Sequence, residues 1–166
     1  MNHSFTASPS LPRPIPAIVV GGVIVGILDL VYAILVYSPH DPILVPQTIA
    51  GGILGEAAYK GGGKTAALGI VLHFFVALCA ASLYYLARRK LKFLIRHAVV
   101  FGMLFGAAVY LFMHLIVLPL SAVPSGPTPF IYEVAEFVEH WFCVGLPIAL
   151  SVRYYSRSDA NIHDNI

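Results

Sequence analysis

Four long apolar runs constrain this chain more than any other feature of its sequence. They cover residues 15–37, 65–86, 98–120 and 131–154. The hydrocarbon layer of a membrane is about 30 Å thick, so a helix needs about 20 apolar residues to cross it. The first three runs each contain one Asp or His, whereas the fourth run has a polar first half and an apolar second half. The pattern predicts an all-α membrane protein built as a four-transmembrane-helix bundle.

The composition predicts that the lipid bilayer is the main partner of this chain. Of the 166 residues, 58% are hydrophobic and 11% are charged, whereas soluble domains carry about 25% charged residues. This excludes an ordinary soluble domain and a disordered chain, and the net charge of +2 gives no indication of a nucleic-acid partner. We expect one transmembrane domain over 17–155, after a flexible proline-rich arm (1–16) and before a cytoplasmic tail (156–166).

A fifth apolar stretch, at residues 43–59, is too short and too interrupted to cross the membrane. Pro46, Gln47 and several glycines break it. We expect a short interfacial or re-entrant helix here, between the first and second transmembrane helices.

Small residues spaced four apart occur in three places: Gly22/Gly26, Gly51/Gly55 and Gly102/Gly106. Such pairs let helix backbones approach closely in a membrane. Packing within one chain is the favoured interpretation, although the same pattern also occurs in homo-oligomers.

The distribution of Lys and Arg predicts the orientation. With four spans, eight of the ten basic residues fall on one side, and only Lys60 and Lys64 fall on the other; the eight are Arg13, Arg88, Arg89, Lys90, Lys92, Arg96, Arg153 and Arg157. Basic residues concentrate in cytoplasmic loops. The sequence therefore predicts an N-in/C-in topology, with both termini cytoplasmic.

Each predicted span contributes one ionisable residue at a similar depth. Asp29 lies eight residues before the outer end of its run, and His114 lies six before. His73 and His140 lie eight and nine residues after the outer starts of theirs. With 1.5 Å of rise per residue, all four lie about 9–14 Å below the outer boundary. Buried ionisable groups in a membrane need partners, so we expect these four to converge.

Acidic residues in and beside the fourth span extend this layer. Glu136 shares a helix face with His140 and joins the layer as a candidate ligand. Glu133 and Glu139, together with Glu56, are expected to form an outer mouth above it.

Three segments together resemble the YagU-like inner-membrane proteins, a bacterial family without an established biochemical activity. They are LHFF at 72–75, HLIVLPL at 114–120 and YEVAEFVEH at 132–140. The matching polar residues are His73, His114, Glu133, Glu136 and His140, whereas Asp29 and Glu56 do not clearly match. The resemblance implies a bacterial inner (plasma) membrane location and no particular reaction.

The first interpretation of the layer is a transition-metal site formed by His73, His114, His140, Glu136 and Asp29. Imidazole and carboxylate ligands suit Zn, Fe, Mn or Cu, with Zn and Fe favoured here. Three protein ligands and a bound water would make a catalytic site, and thus a membrane metalloenzyme. Haem held by two histidines ranks lower, because its anionic propionates would meet the glutamates of the fourth span.

Two other interpretations remain open at this point. Histidine titrates near neutrality, and chains of Asp, Glu and His in membranes mark proton relays. The same residues therefore also fit a proton-relay or pH-sensing protein. In the third interpretation the polar groups only stabilise the bundle, and the protein is a structural subunit of a homo-oligomer or a larger membrane complex.

Overall fold

The computed structural model describes residues 14–124, 126 and 129–163, with side chains described as far as residue 156. Most of the predicted N-terminal arm, including Arg13, and the last three residues of the predicted tail therefore lie outside the described residues. All regular structure within the described ranges is helical.

The helices agree with the predicted spans. They are α1 (Pro14–Tyr37), α2 (Leu44–Leu54), α3 (Gly62–Lys90), α4 (Phe93–Arg96), α5 (Ala98–Phe112), α6 (Leu118–Leu120), α7 (Phe130–Glu139) and α8 (Leu146–His163). A π-helical segment, Met113–Val117, joins α5 to α6, and a second one, His140–Gly145, joins α7 to α8. Four continuous helices are long and apolar enough to cross a membrane: Pro14–Tyr37, Gly62–Lys90, Ala98–Leu120 and Phe130–Ser156. The prediction of four helices that are long and apolar enough to cross a membrane is confirmed.

The long helices suit an apolar environment because a helix pairs its backbone polar groups within the same segment. Their outer surfaces carry large apolar side chains such as Leu35, Val71 and Leu115, which are mostly exposed. Such surfaces match the hydrocarbon of a bilayer.

The order of packing places α1 between α3 and the fourth span. It packs against α3 on one side and against α8 and the second π-helical segment on the other. Helix α5 packs against that same π-helical segment and α8. Helices α3 and α5 also meet, since Tyr84 and Phe105 form an edge-to-face contact with ring centroids 5.0 Å apart.

Two of the glycine pairs allow this close packing within one chain. Gly22 and Gly26 of α1 lie against Leu78 and Phe74 of α3. Gly102 and Gly106 of α5 lie against the backbone of the second π-helical segment. Glycine removes the side chain that would hold two backbones apart, as expected for such pairs in membranes.

The predicted short helix between the first two spans is α2. With 11 residues it is about 16 Å long at 1.5 Å of rise per residue, too short to cross the membrane. It packs along α3, where Gly69 leaves room for the backbone of Pro46. The buried amide of Gln47 donates a hydrogen bond to the carbonyl oxygen of Gly62, 3.1 Å away. Gly62 itself has a φ of +57°, which favours glycine and turns the chain into α3.

We predict that Gly106→Ala destabilises the protein by about 1–3 kcal/mol, because inserting a methyl group into a tightly packed site has this typical cost. The added methyl would overlap the backbone carbonyl oxygen of His140. Gly63→Ala is the matched control, since a methyl group there meets nothing within 4 Å. Thermal unfolding of the detergent-purified variants measures the difference, and equal melting temperatures for the two would contradict this packing.

Candidate functional site

The helix backbone is widened at two of the three predicted histidines. His114 lies in the first π-helical segment and His140 begins the second. Each segment is followed within a turn by a proline, Pro119 or Pro147. Proline lacks the N–H of the regular helical bond and crowds the preceding turn, which accounts for the local change of pitch. Short π-helical segments of this kind are frequent at functional sites.

The most compact group of ionisable side chains is formed by Asp29, Glu139 and His140. One potential ligand atom from each residue lies within 4.8 Å of the other two. Glu139 and His140 are buried, with 5% and 6% of their surfaces exposed, and Asp29 is half-buried. The group joins α1 to the fourth span in the middle of the bundle, and the term "acidic cluster" is used for these three residues below.

The carboxylate of Glu139 is buried and has few hydrogen-bond donors around it. Nδ1 of His140 lies 2.9 Å from Oε2 of Glu139 and also 2.9 Å from the backbone carbonyl oxygen of Glu136, so one N–H faces two acceptors. The thiol of Cys143, four residues further along the same helix, is the other nearby donor and a weak one. Among the described residues, neither oxygen of Glu139 has a partner with full hydrogen-bond geometry. A buried carboxylate in this state is costly, because it has lost water and gained little in return.

The two other histidines each meet one acidic residue. Nε2 of His73 lies 3.8 Å from Oδ2 of Asp29 and 3.0 Å from the carbonyl oxygen of Gly26. Nε2 of His114 lies 3.7 Å from Oε2 of Glu136. The expected convergence is therefore present as two histidine–carboxylate pairs beside the acidic cluster.

Two tyrosines complete the surroundings of Glu136 and the histidines. The hydroxyl of Tyr37 donates a hydrogen bond to Oε2 of Glu136, 3.2 Å away. The ring of Tyr110 stacks on His114, with centroids 4.0 Å apart, and meets His140 edge-on at 5.4 Å. Tyr110 thus fixes the relative position of the two imidazoles. Sequence reasoning did not assign either tyrosine to the site.

A cavity of about 350 Å³ lies between the helices at this level. All five predicted metal ligands line it, namely Asp29, His73, His114, Glu136 and His140. Glu139 does not line the cavity and lies behind Asp29 and His140. The cavity is closed on one side by apolar residues of α1 and the second π-helical segment, such as Val25 and Val144.

The three residues predicted at an outer mouth have different positions. Glu133 and Glu56 are exposed, on α7 and on the short 3₁₀ turn after α2. Glu139 instead lies buried in the acidic cluster. Its spacing of three residues from Glu136 was the available signal, because residues three and four apart share one helix face. Its depth also differs from that of His140 by only about 1.5 Å, one helical rise.

Comparison of the chain with protein-family models, with curated proteins and with solved structures finds no match in any of the three.

We predict that Glu139→Gln raises the free energy of unfolding of the chelator-treated protein by about 1–3 kcal/mol, the typical cost of an unsatisfied buried polar group. The amide removes the unsolvated charge and can donate a hydrogen bond to Asp29. Thermal unfolding in the presence of a chelator measures this. His97→Gln is the control, since His97 is exposed and surface changes stay within about 0.5 kcal/mol. A less stable Glu139→Gln protein would show that the carboxylate is already satisfied.

Proposed function

We propose that this chain is a multi-pass membrane protein that binds a transition-metal ion at Asp29, Glu139 and His140. The observation that carries the proposal is the buried carboxylate of Glu139. Neither of its oxygens has a partner with full hydrogen-bond geometry among the described residues, and it lies beside a second carboxylate and an imidazole. A divalent cation would neutralise both carboxylates at once. It would also replace the missing hydrogen bonds with coordination.

The donor set favours Zn or Fe over a hard cation such as Mg²⁺ or Ca²⁺. Imidazole nitrogen with two carboxylates suits zinc and first-row transition metals, whereas Mg²⁺ and Ca²⁺ prefer oxygen ligands throughout. Asp29 and His140 also line the cavity, so a metal ion held by three protein ligands would have an open position facing it. An open position is the arrangement of catalytic zinc sites, and this supports a membrane metalloenzyme.

The other predicted ligands receive supporting roles in this proposal. His73, with Nε2 at 3.8 Å from Oδ2 of Asp29, would orient that carboxylate, as partners of metal ligands commonly do. His114 and Glu136 would face the open position from across the cavity. Haem is less favoured, because the carboxylates of Asp29, Glu136 and Glu139 would oppose its propionates.

We predict near-stoichiometric Zn or Fe in protein purified in detergent without chelator, and at least a tenfold lower content in Glu139→Gln and Asp29→Asn. Elemental analysis of the same samples, with an absorption spectrum to detect haem, provides the measurement. Each variant removes one anionic ligand, and a three-ligand site does not retain its affinity with two.

The matched controls are Asp41→Asn and His97→Gln, which change an exposed carboxylate and an exposed imidazole outside the cavity. Both are expected to keep the wild-type metal content. Metal-free wild-type protein that takes up no Zn or Fe on titration would overturn the proposal. Equal metal loss in the controls would show adventitious binding.

The alternative function is a proton relay or pH sensor built from the same residues. It is favoured by the continuous contacts from Tyr37 to Glu136 and from Glu136 to His114. In that case wild-type protein would bind no metal, and proteoliposomes would show a pH-dependent flux or conformational change that Glu136→Gln removes. If the protein binds no metal and shows neither flux nor a pH-dependent conformational change, the interpretation as a structural subunit would remain.

For the topology we propose both termini in the cytoplasm of a bacterial inner membrane, with α2 as an interfacial or re-entrant helix. Support comes from the basic residues around α4, including Arg88, Lys92 and Arg96. On the other side of the predicted membrane the sequence has only two basic residues, Lys60 and Lys64. Membership of the YagU-like family remains a proposal that rests on the segments 72–75, 114–120 and 132–140.

We predict that Gly126→Cys reacts with a membrane-impermeant maleimide in intact spheroplasts, whereas Lys92→Cys reacts only after permeabilisation. Cys79 and Cys143 are replaced by Ser in both proteins, so that the introduced thiol is the only target. Mass spectrometry of the labelled protein gives the result. The reverse pattern would invert the topology.

A further inference from the structure

The cavity beside the acidic cluster has an apolar opening on the flank of the bundle. Three apolar residues that line it are also exposed on the outer surface: Val76 of α3 (41%), Leu44 of α2 (39%) and Leu118 of α6 (38%). The opening therefore lies between α2 and α3 on one side and α6 on the other. In a membrane this surface faces lipid chains, and an apolar chain can enter there without meeting water.

The inner end of the cavity is lined by residues that can accept a hydrogen bond. Nδ1 of His114 lies 3.2 Å from the carbonyl oxygen of Tyr110. A carbonyl oxygen only accepts, so Nδ1 carries the hydrogen, and Nε2 of the neutral ring is an acceptor. That Nε2 lies 3.7 Å from Oε2 of Glu136, which is another acceptor. A hydrogen-bond donor that enters the cavity here can donate to either of the two acceptors.

The charges around the cavity select against an anionic ligand. Asp29 and Glu136 line it, and the described residues of its lining include no Lys or Arg. A phosphate or carboxylate head group would therefore enter an apolar site beside two carboxylates, with no permanent positive charge to offset the repulsion. An uncharged hydroxyl group costs less to desolvate than an ammonium group and still donates a hydrogen bond.

We infer that the cavity binds a single-chain lipid with an uncharged, hydroxyl-bearing head, whose hydrogen is donated to His114 or Glu136 while its chain leaves between Leu44, Val76 and Leu118. The volume of 350 Å³ lies near the lower end of ligand pockets, about 300–1,000 Å³, and fits one chain rather than two. The lipid site uses the cavity and its opening, and it does not depend on a bound metal ion.

The test is binding of radiolabelled 1-tetradecanol to the protein in amphipol, with competition by two probes of matched chain. Methyl tetradecyl ether has no donor, and tetradecanoate is anionic. We expect one saturable site per chain that prefers the alcohol over both competitors by at least about tenfold, the equivalent of 1.4 kcal/mol. Equal binding of the alcohol and the ether, or of the alcohol and tetradecanoate, would overturn the inference.

Three variants locate the site. Val76→Trp narrows the opening and Ala80→Leu fills the apolar part of the cavity, so both are expected to weaken alcohol binding at least tenfold. Two separate changes keep the test decisive if one variant fails to fold. Leu83→Trp, on the exposed side of the same helix, is expected to bind like the wild type. Unchanged binding in both cavity variants would overturn the inference.

The metal and lipid proposals are separated by measuring metal content on the same samples. Glu139 does not line the cavity, so Glu139→Gln is expected to lose metal and to keep its preference for the alcohol. Alcohol binding by protein without metal supports the lipid site while the metal proposal fails. Metal binding by a protein that does not prefer the alcohol would support the metal proposal and overturn the lipid site.

Discussion

The close contact between α5 and the second π-helical segment determines where the fourth span lies, and the site depends on it. Gly106 lies against the backbone of His140, and the backbone around Gly145 meets Gly102. Lipid chains are as apolar as the helix surfaces, so association in a membrane depends on this kind of backbone packing rather than on a hydrophobic driving force. The contact holds His140 and its neighbour Glu139 at a fixed height in the bundle.

A similar close approach brings the second span into the site. Gly26 of α1 leaves space for Phe74 of α3, and the carbonyl oxygen of Gly26 meets Nε2 of the adjacent His73. The imidazole is thereby held facing Asp29. Glycines on two different helices thus position the polar side chains, although they contribute no chemistry themselves.

Much of this arrangement follows from the sequence, because two lengths constrain it. Membrane thickness sets the minimum length of each span, and the helical rise converts a residue's distance from the span end into a depth. These two lengths were enough to place Asp29, His73, His114 and His140 in one layer, and all four line one cavity. The orientation of the bundle and the metal remain predictions.

The partners within the layer could not be predicted in the same way. The depth of a residue in the membrane does not show which helices are neighbours. The position of α1 between α3 and α8 was therefore not predictable from the sequence. The pairings of His73 with Asp29 and of His114 with Glu136 depend on that order. Glu139 is different, since its spacing of three residues from Glu136 already placed these two on one helix face. The mouth was its predicted position, whereas the structure buries it one residue from His140.

The sideways opening of the cavity has a consequence for selectivity. A chain that moves from the bilayer into the cavity exchanges one apolar environment for another, so its burial adds little free energy in either direction. Chain length would then be a weak criterion, and recognition would depend on a few hydrogen bonds at the head group. The surrounding membrane would act as a concentrated reservoir, in which a site of modest intrinsic affinity is occupied according to the abundance of its lipid.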